Sequence, residues 1–368
     1  MRQVRSCFSR HEKMSESTWI TESIVHQNRM EDLLYPPGVS LIARQHAVRT
    51  HPVYNFIHQY YRFSPTKLLK YSPGVQVLLE STDNRTKKML EEYDIDGYND
   101  ESCEFSTKLH PSFINCVETS SLPEGMMSKY WHYQSPLSNF EEFQLDKCGE
   151  NQTKLANLIV ELRRCKQMIS NSLSRKPHFA CFGLHEWAMV YSGSHQDQSL
   201  NSQDMDIRKP ANKKQEKLPF RVSQSIIDKT VEENTLRCTH FDAFRFFHND
   251  AKIRNIIPNL NRGVQVDYEQ PGCLHHTMDL FRFAYLAYPL LPAPLLRECL
   301  SLALRARILD LRASPYDVSG VNGCENPIRV ETVEGKRIML REQEDLYADA
   351  LPVRKTMLQA YEKIFANE

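Results

Sequence analysis

Glycine is scarce in this chain, 12 of 368 residues, about 3% against a usual ~7%. That disfavours large α/β folds built on glycine-rich phosphate loops and leans toward helices. Neither G-x-G-x-x-G nor G-x-x-x-x-G-K-[ST] occurs, which argues against a nucleotide-driven enzyme of those types. Net charge is also missing. Lys plus Arg (46) cancels Asp plus Glu (46), so no long-range field draws the chain to nucleic acid or anionic lipid, although a local basic patch stays open. No apolar run approaches 18 residues, and the longest apolar zone, Phe283 to Leu296, is broken by Pro289, Pro292 and Pro294. A membrane span is therefore not expected. The ten cysteines are scattered and never spaced C-x-x-C. They read as reduced thiols of an intracellular protein, cytoplasmic or nuclear. The opening MRQVRSCFSRH, with three arginines and no acid, has a faint organelle-import character.

What is present points to a globular chain, since 41% of residues are apolar and can fill a core. The fold class expected is α+β, mainly helical with a small β component, in one large domain. Residues 1–45 read as a polar N-terminal extension, partly loose. Residues 46–368 read as a single catalytic-type domain carrying polar insertions at 81–150 and 192–217, the first with short strands. Val53, Phe56, Ile57, Tyr60 and Tyr61 recur at helical spacing behind Pro52, and a short helix follows Ser64-Pro65. Val75 to Leu79 reads as a strand. Leu155, Leu158, Ile159, Leu162, Cys165, Ile169 and Leu173 trace one helix face, and Leu296, Leu300 and Leu304 another. Ile328 to Thr332 and Lys336 to Leu340 read as a hairpin around Val333-Glu-Gly335, with a final helix from about Glu342.

Three segments are dense in His, Cys, Asp and aromatic residues: Phe179 to Tyr191, Arg237 to Phe247, and Glu269 to Leu280. A fourth runs from Arg305 to Asp317. His185 precedes Glu186, His240 precedes Asp242, and His275 and Asp279 stand one helical turn apart with Arg282 continuing their face. Such groups suit zinc or non-haem iron, with His185, His240 and His276 as candidate ligands. They equally suit a metal-free acid/base pocket, or histidines satisfied within a core, with Asp242 capping a helix from Ala243. Cys181, Cys238 and Cys273 read as thiolate nucleophiles or ligands, or as small buried apolar residues. Arg245 and Arg312, beside Trp187, Tyr191 and Phe244, suit phosphate contact and base stacking, or ion pairs with Asp242 and Asp310.

His51-Pro-Val-Tyr-Asn-Phe, Tyr60-Tyr-Arg-Phe-Ser-Pro, Cys181-Phe-Gly-Leu-His-Glu-Trp-Ala-Met-Val-Tyr, Cys238-Thr-His-Phe-Asp-Ala-Phe-Arg-Phe-Phe, Gln270-Pro-Gly-Cys-Leu-His and Arg312-Ala-Ser-Pro-Tyr-Asp follow one another in a recognisable order. Over about 46–80 and 155–365 the chain resembles a chiefly actinobacterial family commonly labelled 3-methyladenine DNA glycosylase. No helix–hairpin–helix motif accompanies the label here. The resemblance implies a hydrolase that excises alkylated adenine from DNA. Asp242, Asp279, Glu186 and His240 would be its catalytic candidates, and His185, Trp187, Tyr191, Phe244, Arg245, His275, His276 and Arg312 its base- or ligand-binding set. The alternative is a His/Asp-pocket enzyme, with or without metal, acting on a nucleoside-like or phosphorylated small molecule. A third reading is a non-catalytic binding or scaffold protein.

Overall fold

A computed structural model of the chain describes residues 12–75, 77–81, 114–118, 129–133, 150–193 and 218–366. The arginine-rich start and most of the two expected insertions lie outside the described residues. Strand β1 (Glu12–Met14) leads into helix α1 (Glu16–Leu34), whose first turn is capped by the Ser15 hydroxyl accepting from the Thr18 N–H. Trp19, Ser23, His26, Met30 and Leu34 form its buried stripe. Residues 16–34, inside the expected polar and partly loose 1–45 extension, form a helix that packs into the core. Two of the five inward positions are Ser and His, so the stripe is weak as a purely apolar pattern although its spacing is helical.

Helices α2 (Arg44–Thr50), α3 (Pro52–Tyr61) and α4 (Pro65–Leu69) follow. The last two start on proline as expected, where a missing N–H costs nothing. Strands β2 (Val77–Ser81), β3 (Ile114–Glu118) and β4 (Lys129–Tyr133) join β1 in a sheet ordered β1-β2-β4-β3. β1 and β2 are parallel, and the other pairs are antiparallel. The parallel pair needs a long crossover, which α1 to α4 provide. The chain is mainly helical with a small β component.

The remaining helices are α5 (Glu150–Ser174), α6 (Leu184–Met189), α7 (Gln224–Glu232), α8 (Phe241–Phe244), α9 (Asn249–Lys252), α10 (Gln265–Tyr268), α11 (Leu274–Ala287), α12 (Ala293–Ala313) and α13 (Val333–Ile364). α11 and α12 pack against each other at the centre, and α1, α3, α5 and α13 enclose them. None of the helices of the described residues is long and apolar enough to cross a membrane.

The expected hairpin at 328–340 is instead a tight turn, the Thr332 N–H donating to the Arg329 carbonyl at 2.8 Å, that leads directly into α13. The Thr332 hydroxyl accepts from the Gly335 N–H at 3.0 Å, a helix cap where the hairpin's own turn was expected. Gly335 must be glycine, because a Cβ there would lie 1.8 Å from the Arg329 carbonyl oxygen. Ile328 donates its N–H to the Arg312 carbonyl at 2.7 Å, tying the segment to the end of α12. The final helix therefore starts nine residues before the expected Glu342.

Candidate functional site

α11 is apolar on nearly every side, with Leu274, Met278, Leu280, Phe281 and Phe283 all buried. A helix of that kind belongs in the interior, and it carries His275, His276 and Asp279 there with it. Three further pieces of chain meet it: Cys181 with α6, the Cys238–His240 turn entering α8, and the last turns of α12. His185, His240, His275 and His276 converge. The His275 ring centroid lies 4.6 Å from that of His185 and 5.2 Å from that of His240.

The first group of polar contacts is built on α6 and α12. His185 Nε2 lies 2.6 Å from Asp310 Oδ1, and its Nδ1 lies 3.3 Å from Cys181 Sγ. Arg307 Nη1 donates to Asp310 Oδ2 and to Glu186 Oε1, both at 2.6 Å, while its guanidinium lies over the Phe56 ring. Burial alone would lower the His185 pKa, yet Asp310 and Cys181 raise it well above the ordinary imidazole value. Against its burial, Asp310 is held well below the usual carboxylate range by His185 and Arg307. The neighbouring Cys238 thiol and His185 bring the Cys181 pKa well below the usual thiol range despite burial, while Cys238 Sγ donates to the His240 carbonyl at 3.5 Å. Cys181 sits in a bent turn. Phe182 and Gly183 both have positive φ, 50° and 75°, a conformation that a bulky phenylalanine adopts only at a cost.

The second group surrounds His240. Its Nδ1 lies 2.7 Å from Glu269 Oε1 and its Nε2 3.8 Å from Asp279 Oδ2. His276 Nδ1 lies 3.4 Å from Glu269 Oε2. These atoms are close but out of line for hydrogen bonding, so both nitrogens of His240 and of His276, Glu269 Oε2 and Asp279 Oδ2 are buried without a hydrogen-bond partner. Glu269 Oε1 accepts from Gln265 Nε2 at 2.9 Å, and Asp279 Oδ1 from the Tyr61 hydroxyl at 3.4 Å. Burial would lower the His240 pKa, but Glu269 and Asp279 lift it to about 9. Burial raises that of Asp279 to about 6, against the pull of His240, and lowers those of His275 and His276 well below the ordinary value.

Among the described residues, donor atoms fall into three sets compact enough to hold a metal ion: His185, His275 and Asp310; His240, Glu269 and Cys273; and His240, Asp242 and Asp279. Of the ligand trio expected from sequence, His240 and His276 both face Glu269, whereas His185 pairs with Asp310.

Other expected site residues serve packing and ion pairing. The Trp187 indole N–H donates to the Ala313 carbonyl at 2.9 Å. The Tyr191 hydroxyl donates to Glu232 Oε1 at 2.8 Å, and Phe244 packs on Phe247. Arg245 pairs with Asp242 at 3.2 Å, as its spacing suggests. Asp242 does not cap α8, because His240 occupies that position. It lies in the first turn and also faces Arg282 at 3.5 Å. Arg312 reaches Glu342 at 2.5 and 2.9 Å rather than Asp310, since Asp310 turns inward to Arg307 and His185. Asp310, Glu269 and Tyr61 are site residues that sequence reasoning passed over. The only signal for the first two was their position inside the His- and Asp-dense segments.

A narrow cleft of about 10 Å³, room for roughly one water, reaches the first group, so a larger ligand needs its walls to part. Cys181, Gly183, His185, Arg237, Cys238, Thr239, Gln270, Cys273, Leu274, His275 and Gln343 line it. Arg237 stands exposed at its rim, and Gln343 Oε1 is a buried acceptor without a partner. Comparison with known proteins finds no matching family model, curated protein or solved structure.

Proposed function

We propose that this chain is an enzyme of the His/Asp-pocket class that acts on an anionic small molecule through the Cys181 thiolate. The observation that carries the reading is the line Cys181 Sγ, His185 and Asp310, with spacings of 3.3 and 2.6 Å, at the wall of a cleft. A thiolate beside an imidazolium is a strong nucleophile at neutral pH. Sγ would attack an electrophilic carbon and form a C–S bond. The leaving group would depart with the proton from His185 Nδ1, and Asp310 would stabilise the ring during the transfer. Water or an acceptor would then release the product and restore the thiolate.

The exposed Arg237 guanidinium favours a substrate with an anionic end, such as a phosphate, and the Gln343 carbonyl favours one with an N–H or O–H to donate. The base-excision reading implied by the family resemblance has less support. It needs a carboxylate and stacking surfaces open to an extruded base, whereas Asp279, Glu186, Trp187, Tyr191 and Phe244 are buried and the half-buried Asp242 is engaged by Arg245 and Arg282.

The test is incubation of the pure chain with a panel of nucleosides and phosphorylated metabolites, followed by thermal melting and intact-mass analysis. A ligand that raises the melting temperature, and an adduct that disappears in C181A, are expected. Release of 3-methyladenine from alkylated DNA by wild type, undiminished in C181A, would reverse the order of the two readings.

A further inference from the structure

We infer that His240, Glu269, Cys273 and His276 form a closed binding site for a zinc-class divalent ion, distinct from the Cys181 relay. Three observations lead there. The donor atoms of His240, Glu269 and Cys273 all lie within 4.8 Å of one another, and His276 Nδ1 lies 3.4 Å from Glu269 Oε2. Tetrahedral nitrogen and oxygen ligands about 2.05 Å from an ion stand roughly 3.3 Å apart, and a sulfur ligand sits near 2.3 Å, so the three mutually close donors would draw together by up to about 1.5 Å and His276, which stands against Glu269 alone, would swing in to complete the set.

The second observation is the orphaned polar atoms. His240, Glu269 and His276 are each 0% exposed, yet both imidazoles and Glu269 Oε2 lack hydrogen-bond partners. A buried polar group without a partner costs about 1–3 kcal/mol, so several in one place point to an absent partner. Glu269 stands 2.7 Å from His240 Nδ1 and 3.4 Å from His276 Nδ1 as an ion-pair neighbour, but neither contact is aligned as a hydrogen bond. An ion would satisfy Glu269 Oε2 and one nitrogen of each imidazole together.

The third is the surrounding support. Gln265 holds the other Glu269 oxygen. Asp279, itself held by Tyr61, stands 3.8 Å behind His240 Nε2, one small approach from the hydrogen bond by which a carboxylate orients a metal-ligating histidine. Cys273 and His276 lie three residues apart at the start of α11, so one helical turn presents both.

A set of two nitrogens, one oxygen and one sulfur suits zinc. Four protein ligands leave no open position, so the role is structural. The ion would tie the 238–240 turn and the 269–273 loop to α11, fixing one wall of the cleft.

The test is metal analysis of the full chain purified without chelator, followed by removal of the metal and titration with Co2+. Roughly one ion per chain is expected, as is a cobalt spectrum with visible d–d bands and a sulfur-to-metal charge-transfer band. C273S should lose the charge-transfer band, and E269Q and H276N should bind Co2+ at least about tenfold more weakly. Folded wild-type chain that neither carries a metal nor takes up Co2+ would overturn the site, as would unchanged affinity in both E269Q and H276N. A wild-type spectrum without the charge-transfer band would overturn the four-residue set. If the variants fail to fold, the wild-type measurements still decide. Alkylation of Cys181 reports on the relay separately.

Discussion

His185 and Asp310 are 125 positions apart in sequence and 2.6 Å apart in space, with both side chains almost wholly buried. Asp310 gives its other oxygen to Arg307, so one carboxylate holds the imidazole and fastens α12 to α6. The chemistry of Cys181 is thereby tied to the integrity of the core.

This coupling gives a reactivity prediction. With the Cys181 pKa held well below the usual thiol range, wild type should react with iodoacetamide at Cys181 before any other thiol at pH 7. H185N and D310N should slow that reaction by tenfold or more at pH 7 and move its midpoint to higher pH. Peptide mapping by mass spectrometry measures both.

Arg307 neutralises two buried carboxylates with one nitrogen. Arg307→Met should therefore cost about 3–5 kcal/mol, because Glu186 and Asp310 are left without their cation. Arg307→Lys should cost less, since an ammonium can reach both oxygens, although it forgoes the stacking on Phe56. Urea denaturation with unchanged m values distinguishes the two variants.

His26 sets an acid limit on stability. Its Nε2 faces the Leu68 carbonyl at 2.8 Å and its Nδ1 faces Arg297 Nη1 at 2.8 Å, an arrangement for the neutral ring with the proton on Nε2. Tyr71 packs on its edge. Burial, reinforced by Arg297 and opposed by the Leu68 carbonyl, lowers its pKa to about 4. The unfolded chain therefore binds the proton more readily. The contribution is complete above about pH 6.5 and falls away toward pH 4, by roughly 3 kcal/mol at most. H26Q should flatten the stability-versus-pH curve across that window in a denaturation series.

The start of α13 offers a steric test. Gly335→Ala places a methyl against the backbone of Arg329 and should destabilise the chain by more than about 2 kcal/mol. Thr332→Ala removes the cap and the hydroxyl's bond to the Arg329 carbonyl without a clash, and should cost about 1 kcal/mol. Melting temperatures in that order support the account, and equal losses would contradict it.

The sequence disclosed most where a residue type is expensive to bury without purpose. His185, His240, His275 and His276 announced themselves by their density and do converge. Periodicity located α3, α5 and α12 because their inward positions are apolar, and it lost α1, where Ser23 and His26 take inward places. Ion-pair partners were legible only over short range. Asp242 and Arg245 share a helical face, but the choice of Glu342 by Arg312 depends on how α12 and α13 pack. Glu269 and Asp310 were hidden for the same reason, since no local pattern tells which way a carboxylate will face.

The loop from Glu269 to Cys273 is held from far along the chain. Gln343 donates to the Gly272 carbonyl at 2.7 Å, and Arg354 to the Pro271 carbonyl and the Thr277 hydroxyl at 3.1 and 2.7 Å. A ribosome adding about 5–20 residues per second needs roughly 10–35 s to travel from Cys181 to Arg354. Throughout that interval the thiols of Cys181, Cys238 and Cys273 belong to an unfinished chain, open to oxidants and to stray metal. Vectorial synthesis thus delays the closing of this interior until Gln343 and Arg354 have been made.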